Sequence, residues 1–262
     1  TLYYASVFRC NEFIDKSENI AWDNDSIKST YLGETHAIRG ICYFDMVRTW
    51  ENIPLLIHAT QDNVPQAAHD DVYAQIVTDL KFAADNIPAK AYPKSQSASN
   101  DGYITKYAAE AMLARVYLFY DGYYNGNKGA DMPGGLTKAQ ALAYCEDVIK
   151  SGEFGLVKRF KDLWPASSDD KTGNYLDHWV DKSSYAGVGN KESVLSMKFN
   201  YTADYNGNDD GNRFVIMLGL RTNANVYNCY GQGWGAMTVN TKQVSAYGQG
   251  DSRRQASIID CQ

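Results

Sequence analysis

The stretch Thr35-His36-Ala37-Ile38-Arg39-Gly40-Ile41-Cys42-Tyr43-Phe44-Asp45-Met46-Val47-Arg48-Thr49-Trp50 decides the fold. Ala37, Ile38, Ile41, Cys42, Phe44 and Val47 are spread nearly all round a helix, which predicts a helix buried among other helices. It ends before Ile53-Pro54, because a proline pushes the residue ahead of it out of helical geometry. The flanking sequence supplies the neighbours such a helix needs. Upstream, Tyr3, Val7, Cys10 and Ile14 recur at i, i+4, i+7 and i+11. Downstream, Tyr73, Ile76, Val77, Leu80 and Ala84 form one stripe up to Ile87-Pro88, with Asp70 or Asp71 as its cap.

Two more helices follow a Ser/Asn/Gly loop. Ile104 to Tyr120 sets Ala108, Ala109, Ala111 and Ala114 beside Met112, Val116 and Phe119, so a neighbour can approach closely. Thr137-Lys138-Ala139-Gln140 is a capping box opening the stripe Ala141, Cys145, Val148 and Ile149, and Gly152 closes that helix as a left-handed cap. An Ala/Tyr/Arg-rich helix followed by a capped amphipathic one occurs twice. That is a weak two-helix repeat, which predicts a mainly α fold of tetratricopeptide-like stacked hairpins over residues 1–152. Long loops, notably Gly122 to Leu136, interrupt it. Residues 153–262 read as a loop-rich portion of the same integrated fold. Leu195, Met197 and Phe199 alternate as in a strand, and a short helix capped near Asn240 stops at Gly248.

The 262 residues are 44% hydrophobic and 21% charged, enough to bury a sizeable core. Lys and Arg total 25 against 31 acids, so there is no basic excess for a phosphate backbone, and nucleic acid is not an expected partner. Five widely spaced cysteines without a C-x-x-C give neither a zinc site nor a disulfide framework and read as small buried hydrophobes. No apolar run approaches the roughly 18 residues of a membrane span. The chain begins inside a helical pattern, which suggests a piece of a longer protein. Tyrosines number 20 against 9 phenylalanines, and a rigid ring with a polar tip suits a wet recognition surface.

Five blocks in order resemble the SusD/RagB family, cell-surface nutrient-binding lipoproteins of Bacteroidetes. They are Gly40 to Trp50 running into Asn52-Ile53-Pro54-Leu55; Lys106-Tyr107-Ala108-Ala109 through Leu113 to Leu118; Val148 to Phe154 with Leu156; Glu192 to Met197; and Gly233-Trp234-Gly235 with Gly250-Asp251-Ser252-Arg253-Arg254. Ser252 departs from the family's proline. The resemblance implies a helical scaffold docked on a SusC-like TonB-dependent transporter at the extracellular face of the outer membrane. It also implies a lipid anchor and first and last helices lying outside this chain, and a loop-rich face that captures oligosaccharides or, in some members, peptides.

The residues between Asn200 and Trp234 fit that chemistry. A sugar offers apolar C–H faces and a hydroxyl rim, so its reader needs flat rings flanked by amides, carboxylates and guanidinium. Tyr205, Asn206, Asp209, Asp210, Arg213, Tyr227, Tyr230 and Trp234 form the candidate site. A glycoside hydrolase is the main alternative, but no spacing selects two carboxylates as its acid and base. His36, His58, His69 and His178 form no metal motif, and no Gly-x-Ser-x-Gly elbow occurs. Asp204 to Asp209 begins like a calcium loop but has Asp209 at its glycine position and Val215 at its closing glutamate position. The reading is a non-catalytic binder without cofactor or metal.

Overall fold

Leu2–Lys16 forms α1, whose Val7, Cys10 and Asn11 face inward. A turn of 3-10 helix, Ser17–Asn19, leads to Asn24, whose side chain accepts from the Ile27 amide at 2.9 Å and caps α2. α2 runs over Asp25–Trp50, beginning well ahead of Thr35. Ser26, Ser29, Thr30 and Gly33 dilute the apolar pattern there, and Gly33 shows why. A Cβ at Gly33 would come within 2.4 Å of Ile87 Cγ1, and one at Gly40 within 3.2 Å of Leu80 Cγ. Two glycines seven residues apart share one helical face, so the backbone of α2 approaches the next helix closely.

The computed structural model describes residues 2–96, 99, 101–158, 160–163, 189–198, 217, 234–236, 239–251 and 253–254. It divides into two compact units, Thr1–Gly155 and Leu156–Gln262. In the first, Ile53–Pro54 (β1) pairs antiparallel with Gln66–Ala67 (β2), Ile53 opposite Ala67. Then come α3 (His69–Asn86), α4 (Lys106–Tyr123) and α5 (Lys138–Lys150). Each helix packs on the next in sequence, most extensively α2 on α3 and α4 on α5, so the scaffold is a run of helical hairpins. The fold is the mainly helical one expected. Tyr43, Phe44, Tyr73, Ile76, Leu80 and Leu113 fill its core.

The α5 capping box is present in both directions, and Gly152 sits at φ +72°. The cap expected from Asp70 or Asp71 is not. α3 starts at His69, whose amide donates to Asn52 Oδ1 (3.1 Å), while Asp70 accepts from the Tyr120 hydroxyl (2.6 Å). A side chain from the turn that ends α2 satisfies the helix end and frees the aspartate for a long-range bond. The Gly122 to Leu136 segment folds back on α3, with Met132 and Leu136 buried. Lys81 Nζ donates to the Gly135 carbonyl (3.1 Å), and Tyr117 to that of Ala130 (3.1 Å).

In the second unit, Phe160–Leu163 is a 3-10 turn and Thr241–Ala246 a short helix, α6, whose N-cap Asn240 accepts from the Lys242 amide at 2.9 Å. The strand expected around Leu195 is absent among the described residues, and Phe199 lies outside them. Local bonds occupy the segment instead. Ser193 N–H donates to Asn190 O (3.1 Å), Glu192 N–H to Asn190 Oδ1 (3.0 Å), and the Ser193 and Ser196 hydroxyls pair. Side chains that bond their own backbone compete with a ladder, and Met197 is left exposed.

Candidate functional site

Of the eight candidate site residues, Trp234 is the one described, and it is about half exposed. Tyr205, Asn206, Asp209, Asp210, Arg213, Tyr227 and Tyr230 lie outside the described residues. Beside Trp234, Gly235 adopts φ +61° and Ala236 N–H donates to the Met217 carbonyl at 2.9 Å, which fixes the backbone that carries the ring. Downstream, Arg253 pairs with Asp251 at 2.6 Å. That contact holds the Asp251 carboxyl below its usual range, chiefly through the Arg253 side-chain bonds.

The strongest polar construction in the first unit is buried. Arg39 Nε donates to Asp79 Oδ2 (2.8 Å) and Nη2 to Oδ1 (2.6 Å), while Nη1 donates to Asn11 Oδ1 (2.7 Å) and the Ile57 carbonyl (3.2 Å). Asn11 Nδ2 in turn donates to the carbonyls of Leu56 and His58 (2.9 and 3.0 Å). Tyr43 closes the Leu56 peptide from both sides, donating to its carbonyl and accepting from its amide at 2.8 Å, and Tyr4 donates to the Pro54 carbonyl. The extended segment after α2 is therefore clamped by side chains of α1 and α2. His36 bonds Asp79 Oδ1 at 2.7 Å and lies over Phe82. His58 pairs with Asp15 (2.9 Å), and His69 with Asp70 (3.2 Å). His178 lies outside the described residues. Cys10 is buried and Cys42 half-buried, both unbridged, and burial pushes their thiols up to about 11 and 12. Cys145 is also free, while Cys229 and Cys261 are outside the described residues. Among the described residues no group of three potential ligands could hold a metal, and no helix is long and apolar enough to cross a membrane.

One carboxylate is strongly perturbed. Glu110 on α4 is buried; its Oε1 meets Lys106 Nζ at 3.0 Å, and Lys106 also holds Asp147 of α5 at 2.5 Å. Burial raises Glu110 to about 7, opposed by Lys106 and reinforced by the second carboxylate of Asp147. Between the ordinary carboxyl range and that value, the folded chain keeps a proton that the unfolded chain has lost, so this group's contribution to stability falls as pH rises. Glu110→Gln removes that dependence. Between pH 5 and pH 8 the variant is expected to gain about 2–3 kcal/mol on the parent, read as the change in their difference in urea unfolding. A difference independent of pH would mean that Glu110 is ionised throughout.

Residues 1–118 match the SusD-like family model described as starch-binding and associating with the outer membrane. A SusD-like protein of Bacteroides ovatus is 26% identical over 240 residues, covering 86% of this chain and 42% of that protein. The chain thus spans less than half the length of that relative. A SusD superfamily protein of Parabacteroides distasonis superposes with a TM-score of 0.65 at 22% identity, over 96% of this chain and 46% of that one. A further structure, determined with a xylogluco-oligosaccharide, superposes with a TM-score of 0.62 at 23% identity, over 89% and 40%. The serial helical hairpins are thus those of the SusD-like fold, and the sequence from α1 into α4, residues 1–118, is similar to the SusD-like family.

Proposed function

We propose that this chain is part of a non-catalytic cell-surface receptor that binds oligosaccharides or polysaccharide and delivers them to a SusC-like TonB-dependent transporter. A lipid anchor borne by the longer protein holds it at the outer face of the outer membrane. The observation that carries this reading is the family match over residues 1–118, whose description is starch binding at the outer membrane. The oligosaccharide complex of a structural neighbour supports the ligand class. Residues 1–152 serve as scaffold and partner surface, and 153–262 as the ligand-binding portion.

Within that portion, Tyr205, Tyr227, Tyr230 and Trp234 supply stacking faces, and Asn206, Asp209, Asp210 and Arg213 the bonds to hydroxyls. Stacking buries apolar area on ring and sugar alike, so Tyr→Ala at 205, 227 or 230 is expected to cost affinity of about 1–2 kcal/mol without lowering the melting temperature. Calorimetric titration of the chain with starch and xyloglucan oligosaccharides, beside thermal melts, measures both. Normal binding by all three variants would move the site elsewhere. Chromatography of the same oligosaccharides after incubation tests the non-catalytic part, since shortened products would make the chain a glycosidase.

A further inference from the structure

At one end of the helical unit, four helix ends close a ring of contacts over the edge of the core, with Phe44 buried beneath it. Tyr3 on α1 meets Trp50 edge-on at 6.5 Å, and its hydroxyl donates to Asp45 (3.4 Å), the partner of Arg48. The Arg48 guanidinium lies over Phe44 at 4.3 Å and reaches Phe119 at 5.8 Å. Phe119 stacks on Tyr123 (5.7 Å, 11°), Tyr123 meets Tyr124 edge-on (4.8 Å), and Tyr124 stacks on His69 (4.4 Å, 6°). His69 Nδ1 lies 4.0 Å from Glu51 Oε1, beside Trp50 again.

On this ring Trp50 is 59% exposed and Tyr123 70%. Both are held from behind, Trp50 by Tyr3 and Tyr123 by Phe119 and Tyr124, so each ring is fixed before a ligand arrives. Glu51 supplies an independent sign. It ends α2 at φ 62°, ψ −82°, a conformation close to the positive-φ γ-turn and foreign to residues with a Cβ. Glycine, without a Cβ, adopts positive φ at no such cost. Strain held by a charged residue among exposed rings marks a surface shaped for something other than stability.

We propose that this face is a second carbohydrate-binding site, where a neutral pyranose chain stacks on Trp50 and Tyr123 and donates hydroxyl hydrogen bonds to Glu51 and Asp70. The exposed carboxylates of Glu51 and Asp70, both against His69 on this ring, suit hydroxyl donors better than an aliphatic protein surface, and Asp45, Glu51 and Asp70 set against Arg48 and His69 give no field for an anion. The site rests on the reading that the protein binds glycans. It would give a long chain a second point of attachment, which raises the retention of polymer above that of short fragments.

The test titrates the chain with starch and xyloglucan polymers, using Trp50→Ala, Tyr123→Ala and Glu51→Gly beside Tyr227→Ala. The two ring variants are expected to weaken polymer binding by about fivefold to tenfold at unchanged melting temperature. Glu51→Gly is expected to melt higher and bind more weakly, a split that a purely structural role does not produce. If the parent binds a polymer and both ring variants bind it equally well, this site is overturned while the glycan-receptor reading stands. Weakening matched by early melting overturns it as well. If the parent binds neither polymer, the receptor reading falls, and this proposal with it.

Discussion

Asp79→Ala is expected to destabilise the helical unit by about 3–5 kcal/mol, because it leaves the Arg39 guanidinium buried without its counter-charge. Both side chains are almost wholly out of solvent, and the pair is bidentate. Asp79 also gathers His36 and Gln75 on one oxygen, so its loss leaves three side chains without that partner. The effect spreads through Asn11 to the Leu56 and His58 carbonyls, and therefore to the segment that follows α2. Replacing both members, as Arg39→Met with Asp79→Leu, removes the uncompensated charge and is expected to cost less than Asp79→Ala alone. Urea unfolding of the three chains measures this. A double variant as unstable as Asp79→Ala would show that the cost lies in lost packing rather than in the unpaired charge.

The sequence pattern identified helices where burial and periodicity coincide, and it failed where a polar residue acts at long range. The stripes of α3 and α5 were legible because apolar side chains recur on one face, and the Thr137 box because its bonds are local. The first ten residues of α2 were not. Their glycine and hydroxyl residues argue against a helix on propensity alone, and only the close approach of Ile87 explains Gly33. Arg39 and Asp79 lie 40 residues apart, so nothing in their spacing announces a pair. Asp70 looked like a cap because aspartate at a helix start usually is one, yet its partner is Tyr120 on another helix. The Leu195 alternation misled for the opposite reason: its pattern was right for a strand, but the Asn190 side chain and carbonyl captured the neighbouring backbone first. In the candidate site, ring and amide composition pointed to a ligand class, whereas the convergence of those side chains depends on loop paths that composition does not encode.

The loop before α5 gives the second large effect. Met132-Pro133-Gly134-Gly135 has the arrangement of a type II turn: Gly135 N–H donates to the Met132 carbonyl at 3.1 Å, proline fills the second position, and Gly134 takes φ +80°. The turn presses its glycine against α3. A Cβ at Gly134 would lie 2.8 Å from Val77 Cβ, 3.0 Å from the Ala74 carbonyl oxygen and 3.1 Å from Ala74 Cα. Two of those atoms are backbone in the middle of a helix and have no rotamer by which to withdraw. Gly135 is the internal control, since it too has positive φ, +68°, but nothing stands within 4 Å of its Cβ position. Gly135→Ala therefore reports left-handed strain alone, about 1 kcal/mol. Gly134→Ala adds overpacking against α3 and is expected to cost about 3 kcal/mol in all. Shrinking Val77 to alanine in that background removes one contact and leaves both backbone clashes, so it should recover little. Denaturant midpoints of the variants decide the matter: equal losses for Gly134→Ala and Gly135→Ala would mean that the loop does not rest on α3. The larger loss at Gly134 would establish that Met132 and Leu136 are held in the core by a turn seated directly on the helix backbone.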